Sequence, residues 1–187
     1  MKSISVSMGS DHRGMKLKDD LSKWLIPVDS EIGTRFNIDL FHDIGTYDNK
    51  KKIDYPRIVQ TFLMEYATPD KKEAGWQVYD RGILICGSGY GMSIAANRHP
   101  LVRAVVCRSA KEAEMARLHN DANVLCLGAD FTSKKDALKI VDAFVTTDFE
   151  GGRHQRRIDN VFCLMRVHCI NHLIHEILWS INYLSDI

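Results

Sequence analysis

The feature that most constrains this sequence is an uninterrupted apolar run from Gly82 to Cys86, which is followed at once by a glycine-rich loop. A strand that is apolar at every position has to be covered on both faces, which is typical of the central strands of a parallel sheet. Parallel strands are joined by long crossovers that are usually helices. The run therefore predicts a layered α/β fold in which this strand lies inside the sheet.

Segments typical of strands and helices alternate along the rest of the chain. The apolar spacing and the turn residues predict strands near residues 4–8, 38–43, 82–86, 104–107 and 124–127, and helices near 15–25, 56–66, 92–97, 111–118 and 134–146. This order predicts a Rossmann-like, doubly wound sheet of five parallel strands with helices on both faces. Ligands in such folds bind beyond the carboxyl ends of the strands, so the loops there are the expected site.

The last part of the chain carries apolar residues at helical spacing, interrupted by charged and polar side chains. We expect residues 1–157 to form the Rossmann-like domain and residues 158–187 to form a C-terminal helical extension. The interruptions argue against a membrane span, and an apolar stripe needs a covering surface. The extension is therefore expected to pack at a subunit interface.

The charge and the cysteine content argue against a nucleic-acid-binding, a membrane-binding or a secreted protein. The chain has 25 Lys and Arg against 24 Asp and Glu, a net charge of +1, so no sequence-wide basic field predicts a nucleic acid or a membrane as partner. The five cysteines are odd in number and lack C-x-x-C spacing, which favours buried thiols in a reducing compartment. The N-terminal segment alternates apolar and polar residues, unlike a signal peptide. A soluble, cytoplasmic enzyme is expected.

The loop from Cys86 to Gly91 is the strongest candidate for chemistry. Its glycines allow backbone N–H groups to converge at the start of a helix, where they can hold a phosphate or a developing oxyanion, and where a thiolate is favoured. One loop thus offers a base and an oxyanion site. Two alternatives stay open: a dinucleotide-binding loop, although Met92 occupies the last glycine position of that motif, and a buried structural cysteine before a tight turn.

Two other loops could contribute to that site. Asp11 and His12 follow the first predicted strand and bring a carboxylate and an imidazole to the same edge of the sheet. His119 and Asn120 lie between a predicted helix and the next strand, and could supply an acid or base and a carboxamide. The simpler alternatives are an N-cap for Asp11 and a polar capping turn for residues 119–123.

Arginines and histidines near the C-terminus have a helical spacing. Arg153 and Arg157 are four residues apart, hence on one helical face, where two guanidinium groups can hold a phosphate; a solvated basic turn is the alternative. His168, His172 and His175 also share a helical face. Neither a carboxylate nor a cysteine completes a familiar zinc pattern there, so no metal is expected.

Taken in order, these segments resemble the type B ribose-5-phosphate isomerase family, which includes the two subunits of galactose-6-phosphate isomerase. The resemblance implies a homodimer or homotetramer with an active site shared between subunits, and an aldose–ketose isomerase of the pentose phosphate pathway that needs neither cofactor nor metal. The matching segments are residues 10–14, 54–56, 82–91, 95–98, 103–105, 119–125 and 150–157.

The resemblance also implies a role for each candidate residue. Cys86 would remove the proton from the second carbon of the sugar, and His119 would help to open the furanose ring. Backbone amides would stabilise the enediolate, with Ser88 in the position where many members have threonine. The other expected substrate contacts are Asp11 and Asn120 at sugar oxygens, His12, Arg153 and Arg157 at the phosphate, and the loop residues Gly87, Gly89, Tyr90 and Gly91.

Two departures from the family pattern bear on these expectations. Many members have an arginine of the phosphate site where this chain has Asp130. A carboxylate there would repel phosphate, so we expect a rebuilt site that uses His12, Arg153, Arg157 or a neighbouring arginine. Residues 27–37 and the last thirty residues are longer than the family core, which we expect to affect assembly more than chemistry.

Three rival functions remain at the level of sequence. A six-carbon sugar-phosphate isomerase, acting on allose 6-phosphate or galactose 6-phosphate, would use the same residues. A noncatalytic sugar-phosphate-binding protein would keep the phosphate site but would not need Cys86, Ser88 and His119 together. A nucleotide-binding module has the wrong glycine spacing.

Overall fold

The computed structural model describes residues 3–26, 36–48, 50–66 and 79–161. Strands and helices alternate from Ile4 to Thr146 as the sequence predicts. The elements are β1 (Ile4–Ser10), α1 (Met15–Leu25), β2 (Ile38–Asp43), α2 (Tyr55–Tyr66), β3 (Arg81–Cys86), α3 (Tyr90–Ala96), β4 (Ala104–Val106), α4 (Ala110–Asn120), β5 (Val124–Gly128) and α5 (Lys134–Thr146).

The chain divides after Glu150 into two compact units. In the second unit, residues 153–161 are helical, and the larger part of the expected extension at 158–187 lies outside the described residues. Within the described ranges, no helix combines the length and apolar character needed to cross a bilayer.

The five strands form one parallel sheet in the order β2-β1-β3-β5-β4. The apolar run is the middle strand β3, and all of its residues except Arg81 are buried. Burial of an aliphatic side chain such as Ile83 or Leu84 stabilises the fold by about 1.5–3 kcal/mol. The predicted parallel sheet and the central place of this strand are confirmed.

Side chains of β3 alternate between two apolar cores, one on each face of the sheet. Ile83 and Ile85 belong to the core covered by α1, α4 and α5, whereas Leu84 and Cys86 belong to the core covered by α2 and α3. Helices therefore cover both faces, as the doubly wound pattern predicts.

The element boundaries differ from the prediction where the loops are tight. The helix α3 begins at Tyr90 and not at Met92, because Gly89 adopts a left-handed φ of 81° and acts as its N-cap. The helix α4 continues to Asn120, so the expectation that His119 and Asn120 lie in a turn is wrong. Asp121, with φ of 44°, ends that helix as its C-cap.

Candidate active site

Three loops meet where the carboxyl ends of the neighbouring strands β1, β3 and β5 lie side by side. From β1 the chain moves outward to β2 on one side and then crosses to β3 on the other side of β1, so the direction of winding reverses between β1 and β3. A crevice at such a reversal is the usual ligand site of a doubly wound sheet. The loops that follow β1 and β3 flank it.

Cys86 is the last residue of β3, and 5% of its surface is exposed. Its Sγ atom accepts a hydrogen bond from the backbone N–H of Gly89 at 3.1 Å, across the turn that opens α3. The thiol therefore lies directly beneath the glycine-rich loop, with a backbone donor directed at the sulfur. This contact joins the candidate base to the candidate oxyanion site.

Two other described cysteines, Cys107 and Cys126, have thiol pKa values too high for them to act as bases. Burial raises the pKa of the Cys107 thiol to about 12, and nearby Glu112 adds to the effect. Burial, followed by the proximity of Cys86 and Cys107, raises the pKa of Cys126 well above its ordinary value. Both therefore remain neutral thiols at physiological pH, which makes them suitable controls for Cys86.

The loop after β5 fixes the glycine-rich loop from one side. The N–H of Ala129 donates to the carbonyl of Cys86 at 2.8 Å, and the N–H of Asp130 donates to the carbonyl of Gly87 at 3.0 Å. At Gly128, a Cβ atom would lie 2.7 Å from the backbone of Ser88, so only glycine allows this approach. The amides of the loop are thus held in place before any ligand binds, which is the preorganisation that oxyanion stabilisation requires.

Asp11 and His12 lie at the same edge of the sheet, after β1. The N–H of Asp11 donates to the carbonyl of Ile85 at 3.1 Å. One carboxylate oxygen of Asp11 accepts the backbone N–H groups of Arg13 and Gly14 at 2.9 and 3.0 Å. Gly14 and not Asp11 is the N-cap of α1, so the N-cap alternative is wrong, although Asp11 does order the turn before the helix.

The ring of His12 is oriented by the segment before α2. Its Nδ1 atom lies 3.2 Å from the carbonyl oxygen of Ile53. Because a carbonyl can only accept, Nδ1 carries the proton in this contact and Nε2 is the acceptor of a neutral ring. Once the ring is protonated, Nε2 would instead donate to an anion.

Arg13 and Asp130 form an ion pair that crosses the end of β3. Arg13 follows β1 and Asp130 follows β5, so the pair bridges two strands that are not neighbours. The guanidinium packs against Gly87, where a Cβ atom would lie 2.7 Å from Arg13 Cζ. The carboxylate of Asp130, which was expected to repel phosphate, is therefore partnered by a cation.

Tyr90, the first residue of α3, is engaged by an arginine that the sequence analysis did not single out. Arg108 donates a hydrogen bond to the Tyr90 hydroxyl, and its Cζ atom lies 5.5 Å from the Tyr90 ring centroid and 5.8 Å from that of Phe131. Tyr55, at the start of α2, packs against Gly91, where a Cβ atom would lie 2.8 Å from Tyr55 Cζ. The loop is thus bordered by aromatic rings.

The structure does not bring His119 to Cys86 within one chain. His119 lies in the last turn of α4, and the chain then reaches Asn123, whose carbonyl accepts the N–H of Gly82 at the beginning of β3. Cys86 is four residues farther along that strand, about 13 Å away at the usual strand rise. His119 and the exposed Asn120 thus belong to the amino edge of the sheet, opposite the glycine-rich loop.

The amino-edge position of His119 is rigidly held. Asp121 bridges two arginines, accepting from Arg103 at 2.7 Å and from Arg117 at 2.8 Å. Nε2 of His119 lies 3.8 Å from a carboxylate oxygen of Glu150. A rearrangement that carried His119 across the sheet would break these contacts.

Arg153 and Arg157 lie on the helix at 153–161 of the second unit and are exposed. They are one helical turn apart, as their spacing predicts. Arg153 Nε lies 3.3 Å from His154 Nε2. The three histidines His168, His172 and His175 lie outside the described residues.

The profile of the family described as Ribose/Galactose Isomerase matches residues 6–161. The chain belongs to this family. It is 36% identical to ribose-5-phosphate isomerase B of Escherichia coli K12 over 156 residues, covering 83% of this chain and 93% of that protein. The family resemblance inferred from the sequence is thereby confirmed.

Solved structures of the ribose/galactose isomerase family have the same fold. The ribose-5-phosphate isomerase B of Mycoplasma genitalium, solved with bound ribulose 5-phosphate, is 37% identical, with a TM-score of 0.72 over 89% of this chain and 98% of that chain. The Thermotoga maritima enzyme is 35% identical, with a TM-score of 0.70 over 84% of this chain and 97% of that chain. These similarities confirm the Rossmann-like fold.

Proposed function

We propose that this family member is a ribose-5-phosphate isomerase of the pentose phosphate pathway, acting in the cytoplasm. It would interconvert ribose 5-phosphate and ribulose 5-phosphate through an enediolate, with no cofactor. The observation that carries the proposal is the contact between Cys86 Sγ and the amide of Gly89 inside a loop that β5 holds in place.

The chemistry requires one proton to move between two neighbouring carbons. The Cys86 thiolate would take the proton from the second carbon, and the electron pair of that C–H bond would form the carbon–carbon double bond of the enediolate while the carbonyl oxygen on the first carbon takes the negative charge. A proton would then pass from the hydroxyl on the second carbon to the oxygen on the first, and the Cys86 thiol would return its proton to the first carbon as the carbonyl of the ketose forms. Amides of residues 87–91 would stabilise the negative oxygen, with the Ser88 hydroxyl beside them. Proton transfer and amide stabilisation contribute roughly 10²- to 10⁴-fold and 10²- to 10³-fold to such reactions.

Opening of the sugar ring needs an acid or a base beside the substrate. His119 of the same chain cannot supply it, because His119 lies at the amino edge of the sheet and Cys86 at the carboxyl edge. We propose that a second copy of the chain supplies His119 and Asn120, which would make the active unit a homodimer or a homotetramer of shared sites. The separation of these residues from Cys86 by the length of β3 supports this arrangement. Asp11 would then hold sugar hydroxyl groups through its remaining carboxylate oxygen.

We propose that His12, Arg153 and Arg157 each contact the phosphate of the substrate. We expect Arg153→Ala to raise KM by about ten-fold or more with kcat nearly unchanged, because a phosphate contact acts on substrate and transition state alike. Steady-state kinetics with ribose 5-phosphate measure both constants. A reduced kcat with an unchanged KM would contradict the assignment.

A substrate panel tests the proposed function as a whole. Turnover of ribose 5-phosphate, allose 6-phosphate and galactose 6-phosphate would be compared with a metal chelator present throughout. The expected result is the highest kcat/KM with ribose 5-phosphate, insensitive to the chelator. Preference for a six-carbon substrate would support the rival isomerase, and binding without turnover of any of the three would support the noncatalytic alternative.

A further inference from the structure

Arg13 has an unusual position for an exposed arginine, because its guanidinium is held at two points. One Nη atom pairs with the carboxylate of Asp130. The guanidinium also approaches Gly87 so closely that a Cβ atom there would be 2.7 Å from Cζ and 2.9 Å from both Nε and Nη1. The main chain of Arg13 is also fixed, because its N–H donates to Asp11 at 2.9 Å.

The remaining N–H groups of this guanidinium are available. Among the residues that the structure describes, Asp130 is the hydrogen-bond partner of the Arg13 side chain, and 57% of that side chain is exposed. An arginine has five N–H donors in a planar fork that matches the oxygens of a phosphate. Arg13 therefore presents an oriented but incompletely used set of donors at the edge of the glycine-rich loop.

Fold stability does not account for this pair. Both side chains are well exposed, at 57% and 39%, and exposed ion pairs contribute little to the free energy of unfolding. Each of the two loops is also bound separately to the end of β3 by its own backbone contact, from Asp11 N–H to the carbonyl of Ile85 and from Ala129 N–H to the carbonyl of Cys86. The main effect of the Arg13–Asp130 ion pair is that it fixes the orientation of the Arg13 guanidinium.

Arg13 and the Cys86 side chain belong to different sides of the sheet. Cys86 belongs to the core covered by α2 and α3, whereas Arg13 lies just before Gly14, the N-cap of α1, a helix that covers the other face of the sheet. Because Gly87 lies between Cys86 and the Arg13 guanidinium, we expect a substrate whose second carbon lies at Cys86 Sγ to extend over Gly87 and to reach Arg13 with its far end. In a sugar phosphate, that end carries the phosphate.

There is room for a phosphate beside Arg13. A cavity of about 290 Å³ opens between the start of α1 and the segment leading into α5, and Arg13, Lys16 and Lys134 are among its lining residues. Asp20 also lines the cavity and pairs with Lys134 at 2.8 Å, so three cationic side chains face one carboxylate. The positive side chains favour an anionic occupant of this space.

We propose that Arg13 is a substrate-binding residue for the phosphate group, and that Asp130 is a positioning residue that orients its guanidinium. This deepens the proposed function and rests on it for the identity of the sugar. It also resolves the apparent conflict of a carboxylate in the phosphate region: Asp130 acts on the ligand through Arg13.

The test compares Arg13→Ala, Asp130→Ala and the double variant, with Lys139→Ala as a control that removes a cation from the exposed face of α5. Calorimetry with the full chain would measure Kd for ribose 5-phosphate and for inorganic phosphate, and kinetics would measure KM and kcat. Arg13→Ala is expected to weaken both ligands by about ten-fold or more and to raise KM alike, with kcat within about three-fold. Lys139→Ala should change neither.

The double variant gives the distinctive result. Arg13→Ala leaves the Asp130 carboxylate unpaired beside the phosphate, so removing Asp130 as well should recover part of the lost affinity, although Asp130→Ala alone weakens binding. A structural role for Arg13 would instead lower the melting temperature and show no such recovery.

Unchanged Kd values in Arg13→Ala, or a double variant no better than Arg13→Ala, would overturn the inference. So would a wild-type protein that binds neither ribose 5-phosphate nor inorganic phosphate. If the wild type binds both but turns over no sugar phosphate, the proposed function fails while the binding comparison still decides the role of Arg13.

Discussion

Cys86→Ala is expected to lower kcat for ribose 5-phosphate by at least about 10²- to 10⁴-fold, because it removes the base but leaves the amide loop in place. The substitution removes the contact of the Gly89 N–H with Sγ, but the backbone contacts from Ala129 and Asp130 use only main-chain atoms of the loop and remain. Substrate binding, measured by calorimetry, should therefore persist. Turnover close to that of the wild type would refute the assignment of Cys86 as the base.

Cys107→Ala is the matched control for that experiment. Cys107 is also a buried thiol, but its pKa of about 12 keeps it protonated and it lies beyond the end of β4. Its replacement should cost stability without a comparable loss of kcat. A similar loss in both variants would indicate that the Cys86 effect comes from disturbed packing.

Alkylation adds an independent measurement on the wild-type protein. A thiol-specific reagent should inactivate the enzyme, and ribose 5-phosphate should protect it, since the substrate would cover Cys86. Peptide mapping is needed because the chain has five cysteines. Protection at Cys86 without protection at Cys107 or Cys126 is the expected pattern, and inactivation at an equal rate with and without substrate would argue against an active-site thiol.

The fold was predictable because each element carries its own local pattern. The apolar run at 82–86 indicates a strand covered on both faces, and the stripe at 15–25 indicates a helix packed on one side; both are found in place. Helix ends were less predictable, because Gly89 and Asp121 set them through left-handed backbone angles that composition alone does not specify.

The placement of Asp11 and Cys86 at one edge of the sheet was predictable, because they lie at the carboxyl ends of the adjacent strands β1 and β3. The Arg13–Asp130 pair could not be foreseen, because the two residues are 117 positions apart and follow strands that are not neighbours. Only the sheet order brings them together across β3. The sequence shows only that Arg13 and Asp130 each follow a predicted strand. An ion pair between them can be predicted only once the order of the strands in the sheet is known.

His119 is the candidate residue whose position was hardest to predict from the sequence. Its polar surroundings suggested a site loop, but α4 carries it to the amino edge of the sheet while Cys86 lies at the carboxyl edge. If one reaction uses both the Cys86 thiol and the His119 imidazole, one of the two has to come from a second copy of the chain. A site shared between two subunits therefore predicts that two different inactive variants can restore activity to each other, whereas a site confined to one chain does not.

Complementation between two inactive variants tests it. Cys86→Ala and His119→Ala subunits, co-expressed in equal amounts with different affinity tags, would form mixed dimers in which one site has both mutations and the other has neither. With random pairing, half of the dimers are mixed and one of their two sites is intact, so activity should recover to about one quarter of the wild-type value. Purification through both tags should raise this to about one half.

The matched control pairs Cys86→Ala with Cys86→Ser, which lack the same group in every arrangement and should remain inactive. If the Cys86→Ala and His119→Ala mixture also stays inactive while mixed dimers are recovered through both tags, the two residues act within one chain. That result would require α4 to leave the contacts of Asp121 with Arg103 and Arg117, which hold its end at the opposite edge of the sheet. Recovery of activity is the expected result, because Cys86 and His119 lie at opposite edges of one sheet. The base and the imidazole can then act on the same substrate only where two copies of the chain meet.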